Sequence, residues 1–397
     1  MMFEQLTALP GDPILRLIGL YRDDPRADKI DVGVGVFRTA TGETPVMQAV
    51  REAEQRLHDS QTTKTYVGIA GDPVFDAAMV DLVFADSTDK SRICAVQSPG
   101  GSGALRITAD MLYKTMPHKT VWVSDPTWGN HTPIFTAAGF NVKKYPYLNT
   151  ETKMVDEEKV FQALSELGPD DIVLFHGCCH NPTGSDLSPD AWNRIADIIN
   201  ERGFLPFIDL AYQGLGKGLD EDLYGTRKLA SSVSDLVVTS SCSKNFGLYR
   251  DRVGCAMIMA KDSQAAEISK SHLTIAARVA YSMPPDHGAA IVAIIMTHPE
   301  LRRMWEDELT QMRQRILGLR HLLADKMAAI TGTNDWAFID KHRGMFSLLC
   351  LNKQQTDTLI EKHSIYIVNG GRINIAGLKD EEQVERFAEC LAAVTKV

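Results

Sequence analysis

Four places in the sequence set a chemically competent side chain directly behind a short apolar run. The run DLVVTSS delivers Ser241, Ser243 and Lys244, with Arg252 eight residues beyond the lysine. A lysine held behind a buried strand loses hydration, and partial desolvation beside cationic groups is how an amine becomes a nucleophile near neutral pH. On an exposed loop the same residue is an ordinary surface cation. Ser241 and Arg252 suit a phosphate, the arginine through its planar fork of donors. A second run, FLPFIDLAYQG, ends on Asp209 with Tyr212 close behind. A carboxylate there is costly unless a cation or several donors meet it. One such cation is a protonated pyridine nitrogen, which the carboxylate would hold charged so that the ring can accept electrons. A hydrogen bond to a neighbouring helix start accounts for Asp209 equally well.

The other two places are weaker alone. In SPGGSGALRITADML a glycine turn opens a helix, leaving backbone N–H groups and Ser102 in the first turn to meet an anion. Glycine turns before helices are common, and G-G-S-G matches neither the dinucleotide fingerprint nor the P-loop. In IVLFHGCCHNPTG a strand runs into His176, Gly177, His180, Asn181, Pro182 and Thr183, and taken alone the Asn-Pro pair only shapes a turn. The C-C-H run lacks metal-ligand spacing, so no metal is expected.

These loops need strands to carry them. Between about residue 90 and residue 260, short apolar runs alternate with amphipathic stretches, the signature of parallel strands joined by crossover helices. The strands expected are 121–124, 172–176, 205–209, 236–240 and 255–259. The segment SPDAWNRIADIINERG reads as a helix with Ser188 as cap, Pro189 in the first position and Gly203 closing it. Thr44 and Pro45 open another through His58, with Val46, Ala49, Val50, Ala53 and Leu57 as its apolar stripe. A long regular stretch from His298 to Ile330 bridges two lobes. Strands at 345–350, 365–368 and 373–375 and a helix after Asp380 belong to a smaller domain. The fold class is therefore α/β: a large domain (45–311) with a mostly parallel central sheet flanked by helices, and a small α/β domain (11–44 and 312–397) built from both chain ends.

Composition narrows the function. The chain of 397 residues is 44% hydrophobic and 23% charged, ordinary for a globular enzyme. A net charge of -9 with interspersed signs leaves no footprint for nucleic acid. The N-terminal stretch has early acids and no long apolar run, so it reads as neither a signal peptide nor a membrane helix, and a cytoplasmic protein is expected. Seven cysteines without C-x-x-C spacing disfavour a disulfide framework and a zinc site.

In chain order, SPGGSGALR, SDPTWGNH, HGCCHNPTG, FIDLAYQG, SSCSKNFGLYRDRVG, YSMPPDHGA and GRINIAG resemble the aspartate and aromatic amino-acid aminotransferases, and GDPILRL extends the likeness to the N-terminal segment. The resemblance implies a fold-type I homodimer that binds pyridoxal 5'-phosphate (PLP) between its domains, shares two active sites across the subunit interface, and sends residues 1–10 as an arm to the partner. It implies that Lys244 bonds the cofactor and moves the substrate proton, with Asp209 on the pyridine N–H and His131 behind it. Asn181 and Tyr212 would meet the phenolic oxygen and Trp128 the ring face. Gly101, Ser102, Ser241 and Arg252 would bind the phosphate, joined by the partner subunit's Tyr66. Arg372 would clamp the substrate α-carboxylate with a backbone contact from Gly35, and the partner subunit's Arg278 would pair with a distal carboxylate.

The pattern departs from the aspartate enzymes at several pocket positions. Phe37, Arg38 and Thr39 stand where Tyr-Lys-Asp is usual, Gly129 replaces a proline, Met283 replaces an Asn, and Ser102 stands where Thr is frequent. The expectation is transamination of both dicarboxylic and aromatic amino acids with 2-oxo acids. The alternatives are a strict aspartate aminotransferase, a PLP lyase or decarboxylase, and a non-catalytic PLP-binding module.

Overall fold

The computed structural model describes residues 2–9, 11 and 13–395. Of the expected N-terminal arm, Met1 and Pro10 lie outside the described residues. The chain forms two compact units, one of Pro45–Leu317 with Lys341–Gly344, the other of Met1–Thr44, Gly318–Asp340 and Met345–Val397. The helix Pro299–Thr331 contributes residues to both.

Along the chain the strands are β1 (Ile30–Asp31), β2 (Ile93–Pro99), β3 (Thr120–Asp125), β4 (Asn141–Pro146), β5 (Asp171–His176), β6 (Leu205–Leu210), β7 (Leu236–Ser241), β8 (Val253–Met259), β9 (Phe346–Leu348), β10 (Ile365–Tyr366) and β11 (Arg372–Asn374). In the larger unit seven of them form one sheet in the order β2-β8-β7-β6-β5-β3-β4. Only β8 runs against its neighbours, so the sheet is mostly parallel. Parallel strands covered by helices on both faces read as continuous apolar runs, and every residue of β7 and β8 is buried. One face carries Leu174, Phe207, Val237 and Ala256, packed with Leu105 and Leu112 of the helix Gly100–Thr115 in a common core. Burying one such leucine is worth about 2 kcal/mol, and truncating Phe207 to alanine would cost about 3–5 kcal/mol.

Local signals set most element ends. The helix Pro189–Arg202 starts where Ser188 Oγ accepts the Ala191 N–H and stops at Gly203, whose φ of +78° a side chain would resist. The helix expected from Thr44 instead runs Gln48–Ser60. Its first N–H groups, of Gln48 and Ala49, go to the Glu308 carboxylate at 2.7 and 3.0 Å, a cap from far along the chain. Thr44 Oγ1 is turned away to the Phe37 carbonyl, and Val46 lies outside the helix and exposed, while Ala49, Val50, Ala53 and Leu57 are buried as expected. Strands β2 and β4 were not expected; β4 is a sheet edge whose NVKKYP sequence has no apolar run.

In the smaller unit, β1 pairs in parallel with β10 and β9 antiparallel with β11. These strands are shorter than their apolar runs suggest, two or three residues each. Among the described residues no helix is long and apolar enough to cross a membrane.

Candidate active site

In an open parallel sheet the carboxyl ends of the strands present side chains that the strands themselves cannot hydrogen-bond away. Register aligns them here: His176, ending β5, lies opposite Asp209 on β6, which lies opposite Thr239 on β7. Beyond β7 the chain turns through Ser243 to Lys244, and the helix after β2 begins at Gly100. His176, Asp209, Ser243 and Lys244, with Gly101 and Ser102 from the first turn of that helix, line a cavity of about 180 Å³ in the larger unit.

Lys244 and Asp209 both line it, and the lysine Nζ sits 4.8 Å above the Tyr212 ring. Burial pushes the Lys244 ammonium down to about 8; Asp209 opposes this and Arg252 reinforces it. That is the condition under which an amine is a base or nucleophile near neutral pH. Burial would raise Asp209, but the hydrogen bond and electrostatic field of His131, with smaller contributions from His176 and the Thr239 hydroxyl, outweigh it and hold its carboxyl below the usual range. Its oxygens take His131 Nε2 at 3.1 Å and Thr239 Oγ1 at 3.0 Å. A carboxylate only accepts, so His131 presents a proton on Nε2, while its Nδ1 is hydrogen-bonded with Thr127 Oγ1 at 2.8 Å. The same hydroxyl oxygen is 3.1 Å from His176 Nε2, and burial lowers His176 to about 3, keeping its ring neutral. The polar chain Asp209–His131–Thr127–His176 therefore fixes one negative charge at the cavity floor. Sequence motifs located Asp209, His131 and His176; Thr127 and Thr239 carried no local signal.

The opposite wall is an anion cradle. The N-terminus of the helix Gly100–Thr115 meets the Ser241 hydroxyl and the Arg252 guanidinium. Side chains on its glycines would crowd the cradle: a Cβ at Gly100, whose φ is +75°, would come within 2.4 Å of the Arg252 guanidinium, and one at Gly101 within 3.0 Å of Ser241. Gly101, Ser102, Ser241, Ser243 and Arg252 all line the cavity, and Arg252 Nη1 is 3.3 Å from Ser243 Oγ. Backbone N–H groups, hydroxyls and one guanidinium around a gap suit a phosphate. Trp128 and Asn181 also line the cavity, with Asn181 Nδ2 donating to Tyr212 Oη at 3.4 Å.

A buried amine, a fixed carboxylate and a phosphate cradle are what a phosphorylated pyridine aldehyde requires. The profile of the family "Aminotransferase class I and II" matches residues 27–391. The chain belongs to the class I and II aminotransferases. It is 44% identical to the aromatic-amino-acid aminotransferase of Pseudomonas aeruginosa over 99% of this chain and 98% of that protein. It is 45% identical to the aspartate aminotransferase of Salmonella typhi over 99% of this chain and 100% of that protein. A crystal structure of the aromatic-amino-acid aminotransferase from Burkholderia pseudomallei, covalently bound to pyridoxal phosphate, superposes with a TM-score of 0.97 at 38% identity, covering all of both chains. The reaction of this aminotransferase is transamination and its cofactor is PLP.

Not every expected residue of the aminotransferase lies in the cavity. His131 is behind Asp209 rather than on the wall. Tyr66 is 89% exposed, and Arg278 is exposed on the helix Ser263–Tyr281. Gly35 and Arg372 belong to the smaller unit, where the Arg372 guanidinium packs 4.4 Å over the Phe346 ring and donates to the Gly33 carbonyl at 2.9 Å. Leu105 and Cys178 line the cavity without having been expected there. Cys178, Cys179 and Asp222 cluster with donor atoms within 4.8 Å, but the Asp222 oxygens already accept the N–H groups of Gly214, Gly216 and Lys217. That carboxylate organises a turn.

Proposed function

We propose that this aminotransferase moves amino groups between L-amino acids, both aromatic and dicarboxylic, and 2-oxo acids such as 2-oxoglutarate and oxaloacetate, in ping-pong fashion. The observation that carries the reading is the pairing of Lys244 with Asp209 at adjacent strand ends, in one cavity with a phosphate cradle. The bound cofactor supplies an aldehyde for the amino group and a ring that draws electrons from the Cα–H bond. Lys244 would hold the cofactor through Nζ and, once the substrate amino group has replaced it there and freed the amine, would move the substrate Cα proton, a dual role suited to an amine titrating near 8. Asp209 keeps its negative charge against the ring nitrogen, and His131 orients it. Gly101, Ser102, Ser241 and Arg252 hold the phosphate, Asn181 and Tyr212 the phenolic oxygen, and Trp128 covers the ring face. Arg372, with the backbone of Gly35, holds the substrate α-carboxylate and so sets which Cα bond is aligned for cleavage.

The working form is a homodimer in which the partner subunit's Tyr66 reaches the phosphate and the partner subunit's Arg278 meets the distal carboxylate. The exposed Ile275 and Val279 flank Arg278, and Phe3, Leu6 and Leu9 are exposed along the N-terminal segment, apolar surface of the kind an interface covers. We also read the protein as cytoplasmic, since all seven cysteines are free thiols.

Single-turnover mixing of the PLP form with amino acids, read by the cofactor spectrum, tests the substrate class. Conversion by aspartate, glutamate, tyrosine, phenylalanine and tryptophan is expected. Conversion by the dicarboxylic pair alone would make it a strict aspartate enzyme, and release of carbon dioxide or ammonia a lyase.

A further inference from the structure

The contacts behind Arg372 lead to an ion pair in the smaller unit. Asp31 ends β1 and is buried. Its Oδ1 accepts the N–H groups of Gly33 at 2.9 Å and Val34 at 3.3 Å. Its Oδ2 accepts Arg38 Nη2 at 2.6 Å, while Arg38 Nη1 reaches the Asp31 carbonyl at 3.4 Å. The Val34 N–H and the Gly33 C=O are two ends of one planar trans peptide, so they point in opposite directions. With the N–H turned to Asp31, the carbonyl is turned to Arg372, and it accepts that guanidinium at 2.9 Å. The next peptides are pinned too: Asn374 Nδ2 donates to the carbonyls of Val34 and Val36, each at 2.7 Å. Gly35 between them packs on the Phe346 ring, where a Cβ would come within 2.8 Å. Arg372 is thus gripped between that ring and a carbonyl whose direction the carboxylate of Asp31 sets.

We propose that Asp31 and Arg38 are positioning residues for the carboxylate clamp: Asp31 aims the Gly33 carbonyl at Arg372, and Arg38 holds Asp31 in place. The inference rests on the reading of Arg372 as the α-carboxylate ligand. It gives a physical role to Arg38. The planar fork contacts the side chain and the main chain of Asp31 through different nitrogens, which a single ammonium at this distance does less well. Because every substrate carries the α-carboxylate, the pair governs affinity for all of them equally and does not select among side chains.

The test uses the PLP-loaded enzyme and two amino acids that cannot lose an α-proton, 2-methylaspartate and 2-methylphenylalanine, titrated to equilibrium by the cofactor spectrum. Arg38→Met and Asp31→Asn are each expected to raise both dissociation constants about tenfold, the scale of a lost positioning contact, with Arg38→Lys between them and wild type. Asp31→Asn decides between positioning and simple charge. Removing a negative group would tighten anion binding if Arg38 acted through its own field, and tightening in Asp31→Asn would overturn the proposal. Wild-type affinity in Arg38→Met, beside a large loss in Arg372→Leu, would overturn it while leaving Arg372 as the clamp. Wild-type affinity in Arg372→Leu would remove the clamp itself and the proposal with it. Should Arg38→Met fail to fold, the near-isosteric Asp31→Asn and the charge-conserving Arg38→Lys carry the same comparison.

Discussion

The Asp209 carboxylate and the His131 imidazole meet at 3.1 Å, Oδ2 to Nε2, with the histidine wholly buried. Burial would neutralise an isolated carboxyl there, and His131, as hydrogen-bond partner and through its field, with lesser help from His176 and Thr239, reverses that tendency. Asp209→Ala is expected to slow the half-reaction at least ~100-fold by removing the charge that sustains the electron-poor ring, and His131→Phe about 10-fold by loosening it. Single-turnover rates check both; equal effects would mean that the histidine does more than orient the carboxylate.

Lys244 supplies a prediction with a definite sign. Its ammonium titrates near 8 when folded, against about 10.5 in an unfolded chain. In the cofactor-stripped protein the stability this group contributes is therefore fully present above about pH 10.5 and lost as pH falls through about 8. Amine-modifying reagents should label Lys244 with a midpoint near 8. Arg252→Gln should move that midpoint up and Asp209→Asn should move it down, because the guanidinium disfavours the ammonium and the carboxylate favours it.

The roles proposed for Arg278 and Arg372 separate by substrate class. Arg278→Leu is expected to cut kcat/KM for aspartate and glutamate by about 100-fold or more, while changing it for phenylalanine by less than about 10-fold. Arg372→Leu should impair both classes together. Steady-state kinetics with these three amino acids separates the roles, and equal losses in Arg278→Leu would count against a distal contact.

Sharing of sites between subunits can be tested by mixing. In the proposed homodimer, Lys244→Ala and Arg278→Leu are each expected to be poor with aspartate, but hybrids should recover activity, because one of the two sites would then receive an intact Lys244 and an intact Arg278. No recovery after verified subunit exchange would argue that both residues serve the same subunit's site.

The thiols should divide by burial. Cys94, Cys178, Cys179, Cys242 and Cys255 are buried, and desolvation pushes Cys94 up to about 12. Alkylation of the native enzyme is expected at Cys350 and Cys390, with the other five reacting only after unfolding; peptide mapping reads the order.

Lys244, Asp209 and the Gly101–Ser102 turn were legible because each sits at the end of its own apolar strand or the start of its own helix. Period, polarity and turn residues then coincide within a few positions. Thr127 and Thr239 were not legible, since a threonine in a loop or strand has no periodic signature and its role depends on register with β5 and β6. Contacts from distant sequence also hid the true start of the helix Gln48–Ser60, which Glu308 caps, and the link from Arg38 through Asp31 to Arg372. Strand β4 escaped because an exposed edge with Lys143 and Lys144 needs no apolar face, only the hydrogen bonds of β3.

In the proposed reaction the Nζ of Lys244 carries the cofactor. Borohydride reduction of the PLP-loaded enzyme, followed by digestion and mass spectrometry, should yield one pyridoxyl-bearing peptide with the label on Lys244. A label on any other amine, or reduced protein without a label, would contradict the account.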